Sequence, residues 1–500
     1  MSDSSFKRLK KFQIKNLRKE IIKCCLIYRD VPEFDKINSN KFSQNVFETE
    51  SSGALLKQMI DAIERAEDII CVSTFLINER SLTDAMLNAT SRGVRVYILT
   101  SELNIESESE DDDEISQKNR EEHLKLLDEI AGKILVRTAN HFHSKFLIID
   151  PNTYDNSIGF LLTANLKNKA LFGNGEIGII LRGAAVYELY EQFCYGFWKE
   201  SEHELLEPGR LRDVIRKSHI QLPELFTISY TTNETTKLKQ EIISLITNSI
   251  GELIISSFGF EEDYEITNLI LNEIRNDRRV IILAPNRPKI MNTLKRFREE
   301  GAEVLIREYH HAKAILVKTN EYKEGLIFTA NLTSEGLENG FESGIKVYKE
   351  DTLELEKILL NWYQNFPLIL KVNVNVGDIL GKILFFENYN LIEKEIKPTI
   401  IKNLGEIQAE SIYDMESTEP LNFPELDSDE ICHEIRYEWT VIPPILPKDA
   451  KKIKNDSELP FFEWKRQKFI LITNKSELKT AEELAPKNKA KIVVDYKKIL

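Results

Sequence analysis

Five hundred residues are too many for one hydrophobic core and, at ~100 to 200 residues per domain, predict about three. The hydrophobic share of 42% is that of an ordinary globular protein, and no apolar run reaches the ~18 residues of a membrane span. A formal net charge of -14 weighs against a phosphate-rich partner, since phosphate binding is dominated by Lys and Arg. Eight acids and no base fall within residues 102–114 and nine acids and no base within 406–430, so the rest of the chain is slightly basic.

Residues 1–45 read as an N-terminal extension. It is basic at the front (Lys7, Arg8, Lys10, Lys11, Lys15, Arg18, Lys19) and then apolar, as suits an arm that packs on a neighbour or contacts phosphates. The apolar run 21–28 contains Lys23, Cys24 and Cys25 and lacks a small-residue cleavage site, so it does not read as a signal peptide. The expectation is a cytoplasmic protein. Five cysteines (Cys24, Cys25, Cys71, Cys194, Cys432), with no CxxC pair, argue against a disulfide framework or a structural zinc site and are expected reduced and buried.

From residue 46 two stretches repeat the same order of elements, 46–220 and 221–368. In the first, spacings of three and four between apolar residues predict helices over 54–64 and 82–91, and short β-branched runs predict strands over 68–75 and 94–100. In the second the helices are 238–250 and 265–275, and the strands 252–260 and 279–284. Each stretch closes on a helix with a tryptophan expected in the core, Trp198 in 187–198 and Trp362 in 353–362. The first stretch is roughly 15 residues longer between its fourth element and the motif below, and the acidic run 102–114 sits in this surplus. A solvated loop is its simplest reading, and a polyanion mimic competing with substrate its sharper one. Residues 369–500 are a mainly β accessory region with short strands at 372–376, 382–386 and 469–473 and an acidic loop; no chemistry is assigned to it. The fold class is α/β: two α/β/α lobes in tandem plus this smaller C-terminal region.

One polar constellation occurs twice. The first copy reads HSKFLIID…LLTANL…NGEIGI and holds His143, Lys145, Asn165 and Glu176. The second reads HAKAILVK…IFTANL…FESGI and holds His311, Lys313, Asn331 and Glu342. The Asn to Glu separation is 11 residues in both, and four of the eight histidines (His141, His143, His310, His311) lie at these places. A His and a Lys two apart at a strand mouth project to one face. Imidazole suits a nucleophile or general acid near neutral pH, Lys and Asn offer only donors to a developing polyanion, and the glutamates could hold each imidazole by its other nitrogen. His141 with His143 also has the spacing of a metal-binding pair, but the second copy, His310–His311, does not repeat it, so no metal or cofactor is expected.

These segments resemble the HxK(x)4D…(G)SxN signature of the phospholipase D superfamily, and the tandem match spans roughly residues 51–366. His143, Lys145 and Asp150 fit the first motif in full, with Thr163 and Asn165 in the Ser and Asn places. His311, Lys313, Thr329 and Asn331 fit the second, but Lys318 replaces the aspartate, and Leu162 and Phe328 replace the glycines. The resemblance implies a two-step, metal-independent attack on a phosphodiester through a phosphohistidine. By analogy within the family the nucleophile would be His143 and the acid His311. Lys145, Lys313, Asn165 and Asn331 would bind the non-bridging oxygens, Glu176 and Glu342 would orient the imidazoles, and Asp150, Thr163 and Thr329 would give structural support.

With no membrane association expected, nucleic acid is the leading partner, DNA first and RNA second, which makes the chain an endonuclease by expectation. Basic clusters at 210–217, 275–279 and 287–298 could track a strand, although charge runs usually line solvated faces. An effector in a bacterial defence (antiviral) or DNA-processing complex fits this architecture, with a protein partner on the C-terminal region or the N-terminal arm. Two alternatives stay open: a phospholipase D or phosphatidyl transferase acting on lipid, and a degenerate non-catalytic scaffold marked by Lys318.

Overall fold

The computed structural model describes residues 45–49, 53–101, 114–153, 157–217, 219–319 and 321–375. Outside these it describes the pieces 21–28, 399–401, 433–436, 451–453, 459–464, 467–472, 480, 484 and 490–494. The acidic segment expected at 102–114, Glu114 apart, that at 406–430, the basic arm and the strand expected at 382–386 lie outside the described residues. Contacts gather into two units, residues 34–285 with 300–365, and residues 1–33 with 286–299 and 366–500.

The larger unit holds two sheets of the same design. In the first the order is Arg210–Asp213, His203–Glu207, Leu135–Thr138, Arg95–Thr100, Ile69–Ser73, Phe146–Ile149, Ile158–Leu162, Ile177–Leu181 and Val46–Glu48. In the second, Glu303–Ile306, Val280–Ala284, Glu252–Ser256, Ala314–Lys318, Lys323–Phe328, Glu342–Val347 and Ile228–Thr232 follow the same course. Each has three parallel central strands joined antiparallel to the strand that leaves its histidine. Ile69–Ser73, Phe146–Ile149, Ile158–Leu162, Ile177–Leu181 and Val280–Ala284 are buried at every position, as expected where helices cover both faces.

Helices stand where the apolar spacing placed them: Ala54–Arg65 buries Leu55, Leu56, Met59, Ala62 and Ile63, and Glu265–Arg275 buries Ile266, Ile270, Leu271 and Ile274. Glu188 of Ala184–Tyr195, in the first lobe, accepts the N–H groups of Phe226, Thr227 and Ile228 at the entry to the second sheet. Glu354 of Lys349–Asn365 does the same for Asn45 and Val46 at the entry to the first. Each lobe's closing helix thereby fixes the first strand of the other.

One core assignment is corrected. Trp362 is buried as expected, but Trp198 is 38% exposed. The helix Ala184–Tyr195 passes into a π turn, Gly196–Glu200, whose wider winding sends Phe197 inward instead. Trp198 lies on the surface with the Arg137 guanidinium 4.6 Å over its ring. Cys71 is a buried free thiol, whereas Cys194 is half-buried and also free.

In the smaller unit Ile21–Tyr28 pairs antiparallel with Leu368–Asn375 and parallel with His433–Arg436. A separate sheet joins Lys451–Ile453, Phe461–Trp464, Gln467–Ile472 and Ala490–Val494. Among the described residues no helix is long and apolar enough to cross a membrane.

Candidate active site

The two histidines stand immediately before the buried strands Phe146–Ile149 and Ala314–Lys318. A serine at the end of the neighbouring strand holds each entry: Ser73 Oγ donates to the Ser144 carbonyl at 3.1 Å, and Ser256 Oγ to the Ala312 carbonyl at 3.0 Å. Lys145 and Lys313 do share a face with their histidines, but both are wholly buried. Each ammonium donates to the backbone carbonyl of its own histidine, and Nζ lies 3.0 Å from His143 Nδ1 and 2.8 Å from His311 Nδ1.

Asp150 adopts a left-handed φ of 47° at the far end of the first motif strand. Its carboxylate accepts the N–H groups of Glu67, Asp68 and Ile69 at 2.8, 2.8 and 2.9 Å, so it closes the start of Ile69–Ser73. Lys318, at the matching register position, makes ion pairs with Glu252 at 3.2 Å and Glu356 at 3.4 Å. An opposite charge on the adjacent strand thus replaces the aspartate of the first lobe.

The lobes meet at the motifs, and the pairing is crossed. His143 donates its backbone N–H to the Phe341 carbonyl, and Phe341 returns its own to His141. On the other side the N–H groups of His311 and Ala312 both reach the Gly175 carbonyl, and Gly175 donates to Tyr309. These bridges set Glu342 of the second lobe 2.6 Å from His143 Nδ1, and Glu176 of the first lobe 2.8 Å from His311 Nδ1. The second oxygen of each glutamate accepts from the threonine of its own motif, Thr163 at 2.6 Å for Glu176 and Thr329 for Glu342. Each threonine oxygen in turn accepts a backbone N–H from the glutamate strand, Ile177 at 2.9 Å and Ser343 at 3.0 Å. Asn165 and Asn331 are the members not tied in: the Oδ1 of each is buried with no hydrogen bond among the described residues.

Burial would push Glu176 up, but His311, Lys313 and Thr163 outweigh it and hold the carboxyl at about 2. Glu342 is lowered in the same way by His143, Lys145 and Thr329 against its burial. Burial lowers His143, with Glu342 opposing and Lys145 reinforcing, and lowers His311 to about 3 with Glu176 opposing and Lys313 reinforcing. Burial brings Lys145 down to about 7. The resting centre is therefore two neutral imidazoles on two ionised carboxylates. A carboxylate can only accept from Nδ1–H, which leaves Nε2 of each ring with its lone pair.

Several neighbours escaped the sequence reading. Phe75 and Phe258 flank the two imidazoles, with ring centroids at 5.3 Å from His143 and 4.1 Å from His311. Each is two residues beyond its anchoring serine, in STF and SSF, and that second short repeat was the available signal. Beneath the site Phe142 meets Phe341 edge to face at 5.1 Å, and a Cβ on Gly196 would stand 2.8 Å from the Phe341 ring. In the other half the bulk is redistributed: Gly175 takes the place of Phe341 and faces His310, whose ring packs edge-on against Trp362 at 4.8 Å. Gly196→Ala is thus expected to lower stability by about 1–3 kcal/mol through overpacking, with Gly196→Ala/Phe341→Leu recovering most of it, read from urea midpoints. A midpoint unmoved by the single change would refute this close packing.

The flanking histidines hold other partners. His141 Nε2 lies 3.0 Å from Glu200 Oε2, and His310 Nε2 lies 2.7 Å from Ser256 Oγ. In two of the three basic clusters expected to track a strand, arginines make ion pairs: Arg275 with Glu300, Arg278 with Glu273, Arg279 with Glu252 and Glu303, Arg212 with Glu204, and Arg216 with Glu202.

Comparison with protein families matches residues 59–198 to the family described as cardiolipin synthase, PLD-like domain. No curated protein sequence matches the chain. Among solved structures it is similar to phosphatidylserine synthase of Haemophilus influenzae Rd KW20, at 14% identity and a TM-score of 0.47 over 76% of this chain and 97% of that one. It is also similar to Nuc of Salmonella typhimurium, described as a phospholipase D family member, at 18% identity and a TM-score of 0.25 over 34% of this chain and 97% of that one. A PLD-like domain is thus matched in the first lobe, and the polar constellation that lies in the matched residues is repeated in the second lobe.

Proposed function

We propose that this chain is a metal-independent nuclease that cleaves phosphodiesters of DNA or RNA through a covalent phosphohistidine. The observation that carries the reading is the crossed pair of imidazoles, each on a buried, ionised glutamate from the opposite lobe. One neutral Nε2 can attack phosphorus while the other ring, once protonated, passes its proton to the leaving oxygen. Asn165 and Asn331, whose carboxamides are otherwise uncommitted at Oδ1, would turn their Nδ2 donors to the non-bridging oxygens, and Lys145 and Lys313 supply positive charge behind the rings.

Nucleic acid is favoured by the surroundings of the motifs. Lys167 lies close enough to Lys145 to depress it, Arg307 reaches toward Gly175, and Tyr309, bonded through its carbonyl to Gly175, is 54% exposed. Cations beside an exposed aromatic ring suit a strand that offers phosphates and bases together.

The test is labelled single-stranded DNA, duplex DNA, RNA and anionic liposomes incubated in EDTA with wild type, His143→Ala and His311→Ala. Cleavage of a nucleic acid by wild type, at least ~10²-fold faster than by either variant, is expected. Headgroup release with intact nucleic acid would replace this reading with a lipid one, and cleavage that survives both substitutions would remove the site.

A further inference from the structure

We propose that the second-lobe imidazole, His311, is the group that attacks phosphorus, and that His143 carries the proton to the leaving oxygen. The assignment rests on the phosphodiesterase reading above and reverses the order that resemblance to the family implies.

The two halves of the centre differ in how well each ring can hold a second proton. On the His143 side a buried polar scaffold crosses between the lobes. Ser144 Oγ and Ser343 Oγ are 2.6 Å apart, Ser343 Oγ lies 2.8 Å from Gln192 Oε1, and Gln192 Nε2 donates to the Glu342 carbonyl at 2.9 Å. It fixes the Glu342 backbone while the side chain makes an aligned 2.6 Å hydrogen bond with His143 Nδ1. Such a charge-assisted bond strengthens when the ring becomes an imidazolium. The equivalent positions on the other side are Ala312 and Ile177, which have no hydroxyl.

On the His311 side the surroundings oppose a cation. Lys313 Nζ lies within 2.8 Å of Nδ1 and 3.5 Å of Nε2, so an ammonium stands against both ring nitrogens. Lys145 approaches His143 at Nδ1. Glu176 Oε1 lies 2.8 Å from His311 Nδ1, a longer contact than the 2.6 Å between Glu342 and His143. Less of the His311 side chain is exposed than of His143, 18% against 26%. Both rings are lowered by burial, and His311 falls to about 3.

In the first step the His311 Nε2 lone pair forms the P–N bond as the bond from phosphorus to the leaving oxygen breaks, and His143 Nε2–H gives that oxygen its proton. In the second step water attacks phosphorus, His143 takes the water proton, and the P–N bond breaks to return neutral His311. Burial lowers His143, with Glu342 opposing and Lys145 and Lys313 reinforcing, so fewer molecules hold its proton as pH rises and kcat/KM should fall with rising pH.

A p-nitrophenyl ester of thymidine 5′-phosphate separates the roles, because p-nitrophenolate leaves without a proton. His143→Ala should release about one equivalent of p-nitrophenolate per protein in a burst and then stall. Its phosphoryl adduct should map by mass spectrometry to the peptide containing His311, and the burst rate should show no fall above pH 6.5. His311→Ala should give no burst. The opposite pattern, or turnover by wild type with no adduct in either variant, would overturn the assignment while leaving phosphodiesterase activity standing. A wild type inert to this ester and to nucleic acid would remove both readings. Asn variants at the two positions serve where an alanine variant does not unfold cooperatively.

Discussion

Glu342→Gln should lower kcat on a nucleic-acid substrate by about 10²- to 10⁴-fold with KM changed less than about threefold, although the substitution alters one atom. The carboxylate can only accept from His143 Nδ1, and it lies 2.6 Å away. An amide can turn its NH2 to that nitrogen and donate instead, which places the ring proton on Nε2 in the neutral form and removes the bond that stabilises the imidazolium. Glu176→Gln should do the same to His311 from the other lobe, and there the loss should persist on the p-nitrophenyl ester, since a protonated Nε2 cannot attack. Steady-state kinetics beside thermal unfolding are the check: either variant folded and within threefold of wild type would show that the crossed carboxylates do not govern the tautomers.

Asp150→Ala should destabilise the larger unit by about 3–5 kcal/mol, the largest stability effect expected of any residue in the two motifs. Three backbone N–H groups lose their acceptor together, and the strand they begin carries Ser73 to the histidine. Asp150→Asn should lie between, because one amide oxygen still accepts while the NH2 opposes a backbone donor. Lys318→Ala should cost only about 0–1 kcal/mol, since Glu252 keeps its ion pair with Arg279 and Glu356 its pair with Lys323. Urea midpoints decide this, and an alanine variant within 1 kcal/mol of wild type would contradict the structural role.

Much of this was open to sequence reading because the duplication recorded it twice. A chance HxK has no reason to be followed in both copies by TAN and by a glutamate 11 residues later, and apolar spacing placed Glu265–Arg275 at its ends. Which lobe's glutamate serves which histidine was not legible, because spacing along the chain says nothing of contacts across a two-fold-like junction. Trp198 misled for a local reason: a π turn shifts the side-chain face by one residue, and composition does not announce it. Nor does a run of arginines reveal the acids opposite, which here come from distant segments such as Glu252 and Glu300.

The redistribution of bulk beneath the centre has a consequence for assembly. Two copies of the second lobe brought together in this arrangement would drive Phe341 onto His310, where even a Cβ at Gly175 would stand 2.9 Å from the ring nitrogen. Two copies of the first would set Phe142 against Gly175 and Gly196 and leave a void. Each half has become a lock for the other and a poor fit for itself. Covalent fusion keeps the correct mate at high effective concentration, so neither half need ever meet its own kind.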